Sequence, residues 1–279
     1  MIRRLRPLRR LRIFRDRPLG IGGEGSVYLG FRYATGTYCA VKLSNCLDPS
    51  EKRRHLAHEW ARRQRVAGNR IARVVGKNLT CADPFLLLEL AHGSLKDEMD
   101  FAKANGLVFS PSYALFRLRQ ILVALAQTHR SGIVHRDVKP GNFLCFEGNT
   151  LKISDFGVGR TRDAVTRNPW ATFTREVVGT PMYAAPEQLA RRHVDHRADL
   201  YSAGAILYEM LTRHAPPPAK QRRLPPSAFN RCVGRRLNAL TAWLLAPDPR
   251  QRPRSAFEAI RAVDSVYRLY ARKRLRPAV

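Results

Sequence analysis

The 279-residue chain has few acids: 22 Asp and Glu stand against 50 Lys and Arg, a formal net charge of +28. Such a surface attracts nucleic acid, acidic proteins and anionic lipid without specificity. No reader motif and no basic stretch interleaved with aromatics accompanies the charge, which argues against a dedicated nucleic-acid-binding protein. Cysteine is scarce and unpatterned. Cys39, Cys46, Cys81, Cys145 and Cys232 are odd in number and include no C-x-x-C, against a disulfide framework and a zinc site and in favour of a reducing cytoplasm. Long apolar runs are missing too. Nothing approaches the ~18 to 20 residues of a membrane span, and "MIRRLRPLRRLRIFRDR" at the start lacks the apolar core of a signal peptide.

What is present divides into a β-rich first third and an α-rich remainder. "GSVYLGFRY" and "GTYCAVKLS" alternate as strands around a turn at "ATG". "PSEKRRHLAHEWARRQRVAG" has helical start and stop signals. "RIARVVGK" and "PFLLLELA" add two strands. "PSYALFRLRQILVALAQTHRSG" is an amphipathic helix with Leu115, Leu118, Ile121, Leu122 and Leu125 on one face. "DLYSAGAILYEMLT", "GRRLNALTAWLLA" and "RSAFEAIRAVDSVYRLY" continue at helical period. The expected class is α+β in two lobes. Its expected boundaries are a basic extension over 1–13, a domain over 14–267 divided into 14–90 and 91–267, and a basic tail over 268–279.

Four polar stretches interrupt these apolar segments. In "LGIGGEGSV", Gly20, Gly22 and Gly25 let backbone N–H groups approach phosphates, with Val27 two residues beyond. A dinucleotide fold would continue as a helix, whereas here strand, turn and strand follow, which points to a glycine-rich hairpin lid. Lys42 ends the second strand. Glu59 is the only acid between Glu51 and Asp83, and it either relieves repulsion among its arginine neighbours or partners Lys42. In "HRDVKPGN", Asp137 can take a proton from an attacking hydroxyl, Lys139 can neutralise transferring phosphoryl oxygens, and Asn142 offers a hard oxygen to Mg²⁺. Asp155, in "DFG" after the strand "NTLKIS", is a second hard ligand. Phosphoryl transfer asks mainly for such positioning and charge neutralisation.

"GIGGEGSV", "CAVK", "HRDVKPGN", "DFG" and "APE" (Ala185-Pro186-Glu187), in this order over residues 14 to 265, resemble the eukaryotic-like serine/threonine protein kinases, most closely the bacterial members. The resemblance implies a bilobal kinase fold and ATP as substrate, with Mg²⁺ or alternatively Mn²⁺. It places Leu19, Gly20, Gly22, Gly25 and Val27 over the nucleotide, Ala40 above the adenine, Leu144 below it, Glu89 and Ala91 at its edge and Leu88 before the pocket behind. Lys42, paired with Glu59, would hold the α- and β-phosphates. Asp137 would be the base, Lys139 would mark a Ser/Thr enzyme, and Asn142 and Asp155 would hold the metal. "GTPMYAAPE" resembles a substrate-docking segment, with Thr180 meeting the catalytic loop. Glu187 and Arg252 match a buried ion pair, and Asp199 matches an acid that braces the loop.

Two departures stand out: Arg63 where an apolar residue normally completes a stack with His135 and Phe156, and Glu24 at the lid tip. Thr172 and Thr174 match autophosphorylated positions, for which Arg136, Arg160 and His55 would be the cradle. The expected partners are protein substrates, with acidic proteins or anionic surfaces favoured by charge. A small-molecule phosphotransferase is the main competing enzyme, and the docking segment argues against it. A pseudokinase scaffold is disfavoured because Lys42, Asp137 and Asp155 are all present.

Overall fold

The computed structural model describes residues 11–22, 25–156, 160–161, 182–217, 221 and 223–274. The chain forms two compact units: Met1–Arg65 with Ala72–His92 and Asp155–Gly157, and Val66–Ile71 with Gly93–Ser154 and Val158–Val279. The class is α+β, a sheet unit and a helical unit.

In the sheet unit, β1 (Leu11–Ile21), β2 (Gly25–Arg32), β3 (Thr37–Ser44), β4 (Val74–Asn78) and β5 (Phe85–Leu88) form an antiparallel sheet in the order β1-β2-β3-β5-β4. β1 begins within the stretch expected to be an extension. Strand alternation sorts β3 onto two faces. Cys39, Val41 and Leu43 pack with Leu87 on one face. Ala40 packs with Leu86, Leu88 and Leu56 of α1 (Pro49–Arg65) on the other. Lys42 shares the parity of Ala40 and therefore lies on the face that carries α1. The buried stripe of α1 is Leu56, Glu59 and Arg63, so this helix turns charge inward. Gly25 is bare for a reason: a Cβ there would lie 2.5 Å from the Leu43 carbonyl oxygen and 3.4 Å from Lys42 Cε.

In the helical unit, α3 (Pro111–Arg130) and α5 (Arg197–Thr212) form the centre, joined by α2 (Leu95–Ala104), the short α4 (Pro186–Leu189), α6 (Arg235–Leu244) and α7 (Ala256–Arg274). α3 buries Leu115, Leu118, Ile121, Leu122 and Leu125, as its periodicity predicts. Its start is set by Ser110, whose hydroxyl accepts from the Tyr113 N–H, with Pro111 in the first turn, where a missing donor is harmless. α2 went unread in the sequence, although Ser94 and Asp97 form a capping box at its start. α7 runs to Arg274, so the segment expected as a tail from residue 268 is helical up to that point. The unit also has a three-stranded sheet, β6 (Gly93–Ser94), β8 (Phe143–Phe146) and β9 (Thr150–Ile153), and a two-stranded one, β7 (Ile133–Val134) with β10 (Arg160–Thr161), and β7 and β8 flank the catalytic-loop sequence in the chain.

Candidate active site

The sheet unit holds a buried charge cluster. Lys42 Nζ lies 2.8 Å from Glu59 Oε2 and 2.8 Å from Asp155 Oδ1, and both Lys42 and Glu59 are over 90% buried. Burial opposes the ammonium charge, but the two carboxylates outweigh it and hold the Lys42 pKa above the ordinary lysine range. Of the two readings of Glu59, the structure shows the pairing with Lys42. Asp155 is reached through a left-handed backbone (φ 59°), a conformation a non-glycine residue adopts at a cost of roughly 1–3 kcal/mol and typically at functional sites.

The remaining sheet-unit candidates lie on the strands around this cluster. Gly20 pairs with Val27 across β1 and β2, and Val27 pairs with Lys42 across β2 and β3. Ala40 is buried and faces Leu88 on β5; Leu19 is exposed. The Glu89 N–H donates to the Arg73 carbonyl at 3.0 Å and its carboxylate meets Arg73. Ala91 follows β5 by three residues.

The helical unit holds the catalytic-loop sequence. Asp199 of α5 is buried, and its carboxylate accepts from the backbone N–H of His135 (2.9 Å) and of Arg136 (2.8 Å) and from His129 Nε2 (2.7 Å). Burial works to raise its pKa, but the His129 hydrogen bond, the nearby imidazoles and the backbone N–H keep it below the ordinary carboxylate value. Those bonds hold Arg136 in a left-handed backbone (φ 67°), and Gln188 Nε2 takes the Arg136 carbonyl at 2.8 Å. His135 is fully buried; its Nδ1 accepts from the Asp137 N–H (3.4 Å) and its Nε2 donates to the Ser154 carbonyl (3.0 Å). Asp137 Oδ2 lies 2.7 Å from Lys139 Nζ and 3.0 Å from Asn142 Nδ2, which also donates to the Asp137 carbonyl. The amide NH₂ of Asn142 thus faces Asp137. An amide oxygen and a carboxylate such as that of Asp155 are each hard donors of the kind that suits Mg²⁺. Leu144 is on β8, half-buried.

Arg252 meets Glu187 in a two-pronged buried pair, Nη1–Oε1 2.6 Å and Nη2–Oε2 2.8 Å. Thr172, Thr174, Thr180, Gly157 and Glu24 lie outside the described residues. Of the cradle proposed for Thr172 and Thr174, His55 Nδ1 lies 3.3 Å from Cys46 Sγ. Sequence reasoning overlooked His129, for which no motif signals a role. It also overlooked the buried pairing of Arg63, which the spacing of four from Glu59 did signal.

Residues 14–263 match the protein kinase domain family, and the chain belongs to it. It is 36% identical over 209 residues to the serine/threonine-protein kinase Pkn1 of Myxococcus xanthus, covering 72% of this chain and 29% of that protein. It is 31% identical to PknL of Mycobacterium bovis, covering 70% and 48% of the two chains. A probable serine/threonine-protein kinase of Streptomyces coelicolor is 32% identical over 86% of this chain and 37% of its own. The chain thus spans under half the length of these relatives. Among the described residues, no helix is long and apolar enough to cross a membrane.

Proposed function

We propose that this protein is an ATP-dependent serine/threonine protein kinase, acting through a kinase domain over residues 14–267 in the cytoplasm. The observation that carries the proposal is the "HRDVKPGN" loop: Asp137 is held by Lys139 and Asn142 on a backbone pinned by buried Asp199. In this reading a seryl or threonyl hydroxyl gives its proton to Asp137 as its oxygen forms a bond to the γ-phosphorus, and the bond from that phosphorus to the ADP oxygen breaks. Lys139 balances charge on the transferring oxygens, and Lys42, fixed by Glu59, holds the α- and β-phosphates. Asn142 and Asp155 are the residues that would hold Mg²⁺, which would neutralise phosphate charge when bound. Leu19, Gly20, Gly22, Gly25, Val27, Ala40, Glu89, Ala91 and Leu144 contact the nucleotide. Thr180 docks substrate, and Thr172 and Thr174 are autophosphorylated.

The substrates are proteins, and the +28 charge favours acidic ones. The test is incubation with Mg-ATP labelled at the γ-phosphate and a mixture of acidic and basic Ser/Thr and Tyr peptides, followed by phosphoamino-acid analysis. Phosphoserine or phosphothreonine is the expected product. Label on tyrosine alone, or on an aminoglycoside or sugar but no peptide, overturns the proposal. Mass mapping of the same reaction tests Thr172 and Thr174.

A further inference from the structure

Of the five arginines in α1, four are exposed or half-buried, and Arg63 alone is buried, at 5% exposure. Its guanidinium is used on every side. Nε and Nη2 lie 3.1 and 3.0 Å from Glu59 Oε1, and Nη1 donates to the Ala72 carbonyl at 2.8 Å. Its carbon stands 5.5 Å from the centre of the Phe156 ring, within cation–π range. Glu59 therefore divides its two oxygens between two cations, Oε1 to Arg63 and Oε2 to Lys42. The neighbouring Arg62 donates through Nη1 to the Phe156 carbonyl at 2.9 Å. Two consecutive arginines of one helix thus grip Phe156, one by its ring and one by its backbone, and the residue before Phe156 is Asp155, the second carboxylate on Lys42.

An apolar side chain could fill this volume with less desolvation, and a buried ion pair is in general weak support for stability. What the guanidinium supplies that an apolar residue cannot is direction: it fixes which way the Glu59 carboxylate faces. We propose that Arg63 is a positioning residue for phosphoryl transfer. It orients Glu59 on Lys42 and, with Arg62, ties α1 to Phe156, so that the two carboxylates on Lys42 are set by the same pair of arginines. The proposal rests on the kinase reading above.

A double-mutant cycle on the full chain with Arg63→Met and Glu59→Gln tests it. The readouts are kcat, KM for ATP, melting temperature and, independently of turnover, affinity for a fluorescent ATP analogue. Arg63→Met is expected to lower kcat/KM on the order of tenfold, and Glu59→Gln is expected to cost at most about twofold more in that background, because the carboxylate has already lost its orientation. Arg63→Lys should recover part of the loss, since an ammonium can pair with Glu59 but cannot also donate to Ala72 and keep the contact with the Phe156 ring. Additive losses, or a lower melting temperature with unchanged kcat, KM and nucleotide affinity, would overturn the proposal. If Arg63→Met does not fold, Arg62→Ala and Arg63→Lys decide: both must lower kcat or nucleotide affinity at an unchanged melting temperature, and wild-type values for both overturn it. A wild-type chain that transfers no phosphate defeats the kinase reading, while non-additivity in analogue affinity would still support the role of Arg63.

Discussion

The sheet unit and the helical unit each hold a cluster of acids and bases, and they fix it by different means. In the sheet unit, side chain holds side chain: Lys42, Glu59, Asp155 and Arg63 come from a strand, a helix and the "DFG" segment, and ion pairs align them. In the helical unit, the backbone is held: one buried carboxylate, Asp199, takes the N–H groups of His135 and Arg136, and the reactive side chains project from a loop whose course is already set. The first arrangement follows any shift of α1, while the second resists shifts because it is anchored in α5, buried along most of its length. The first should therefore fail in activity before stability, and the second in both.

The largest expected effect is at the loop. Asp137→Asn keeps the shape but cannot accept a proton, so kcat should fall roughly 10²- to 10⁴-fold with ATP binding retained. Near-wild-type turnover in a peptide assay would end the assignment of Asp137 as base. Next comes Arg252→Met, which leaves Glu187 buried without its cation. It should cost about 3–5 kcal/mol in a denaturant titration, the penalty for breaking a buried pair. An unchanged transition would show that the helical unit does not depend on that pair.

Glu59→Gln should be milder, a several-fold loss in kcat/KM with a melting temperature near wild type. A large drop in melting temperature would erase the contrast between the two units. Acid sharpens the contrast further. The folded pKa of Asp199 lies below its unfolded value, so its contribution to stability is complete above the ordinary carboxylate value of about 3.9 and is lost as pH falls through the lower folded value. The stability gap between wild type and Asp199→Asn, measured by denaturant at successive pH values, should accordingly be flat above that point and close below it. The effect furthest from activity and stability is chemical: burial, with Glu98 beside it, pushes the Cys145 thiol up to about 12. Iodoacetamide should therefore label Cys145 at least about tenfold more slowly than exposed Cys232, as peptide mapping would show.

Most of the site was legible because phosphoryl transfer needs particular residue types at short spacings. Asp137, Lys139 and Asn142 lie within six consecutive residues, so their proximity was legible from spacing, while the Asp199 carboxylate that holds the loop backbone lies more than 60 residues away. Strand parity alone places Lys42 on the face of Ala40. Helix α2 was missed because only ten residues carry its pattern, and the helical pattern of α7 was read only to Tyr270 because the last four residues, Ala271 to Arg274, are mostly basic.

By itself, the sequence determined the class of protein and most of its elements and named candidate residues for the chemistry, since these rest on periodicity, turn chemistry and local spacing. It left open whether Glu59 serves Lys42, and it made Arg63 look like a defect in an apolar stack. Those questions were decided by tertiary structure. An arginine in a buried position is costly or useful according to which acceptors surround it, and the acceptors here, Glu59, the Ala72 carbonyl and the face of Phe156, converge from segments up to 93 residues away in sequence.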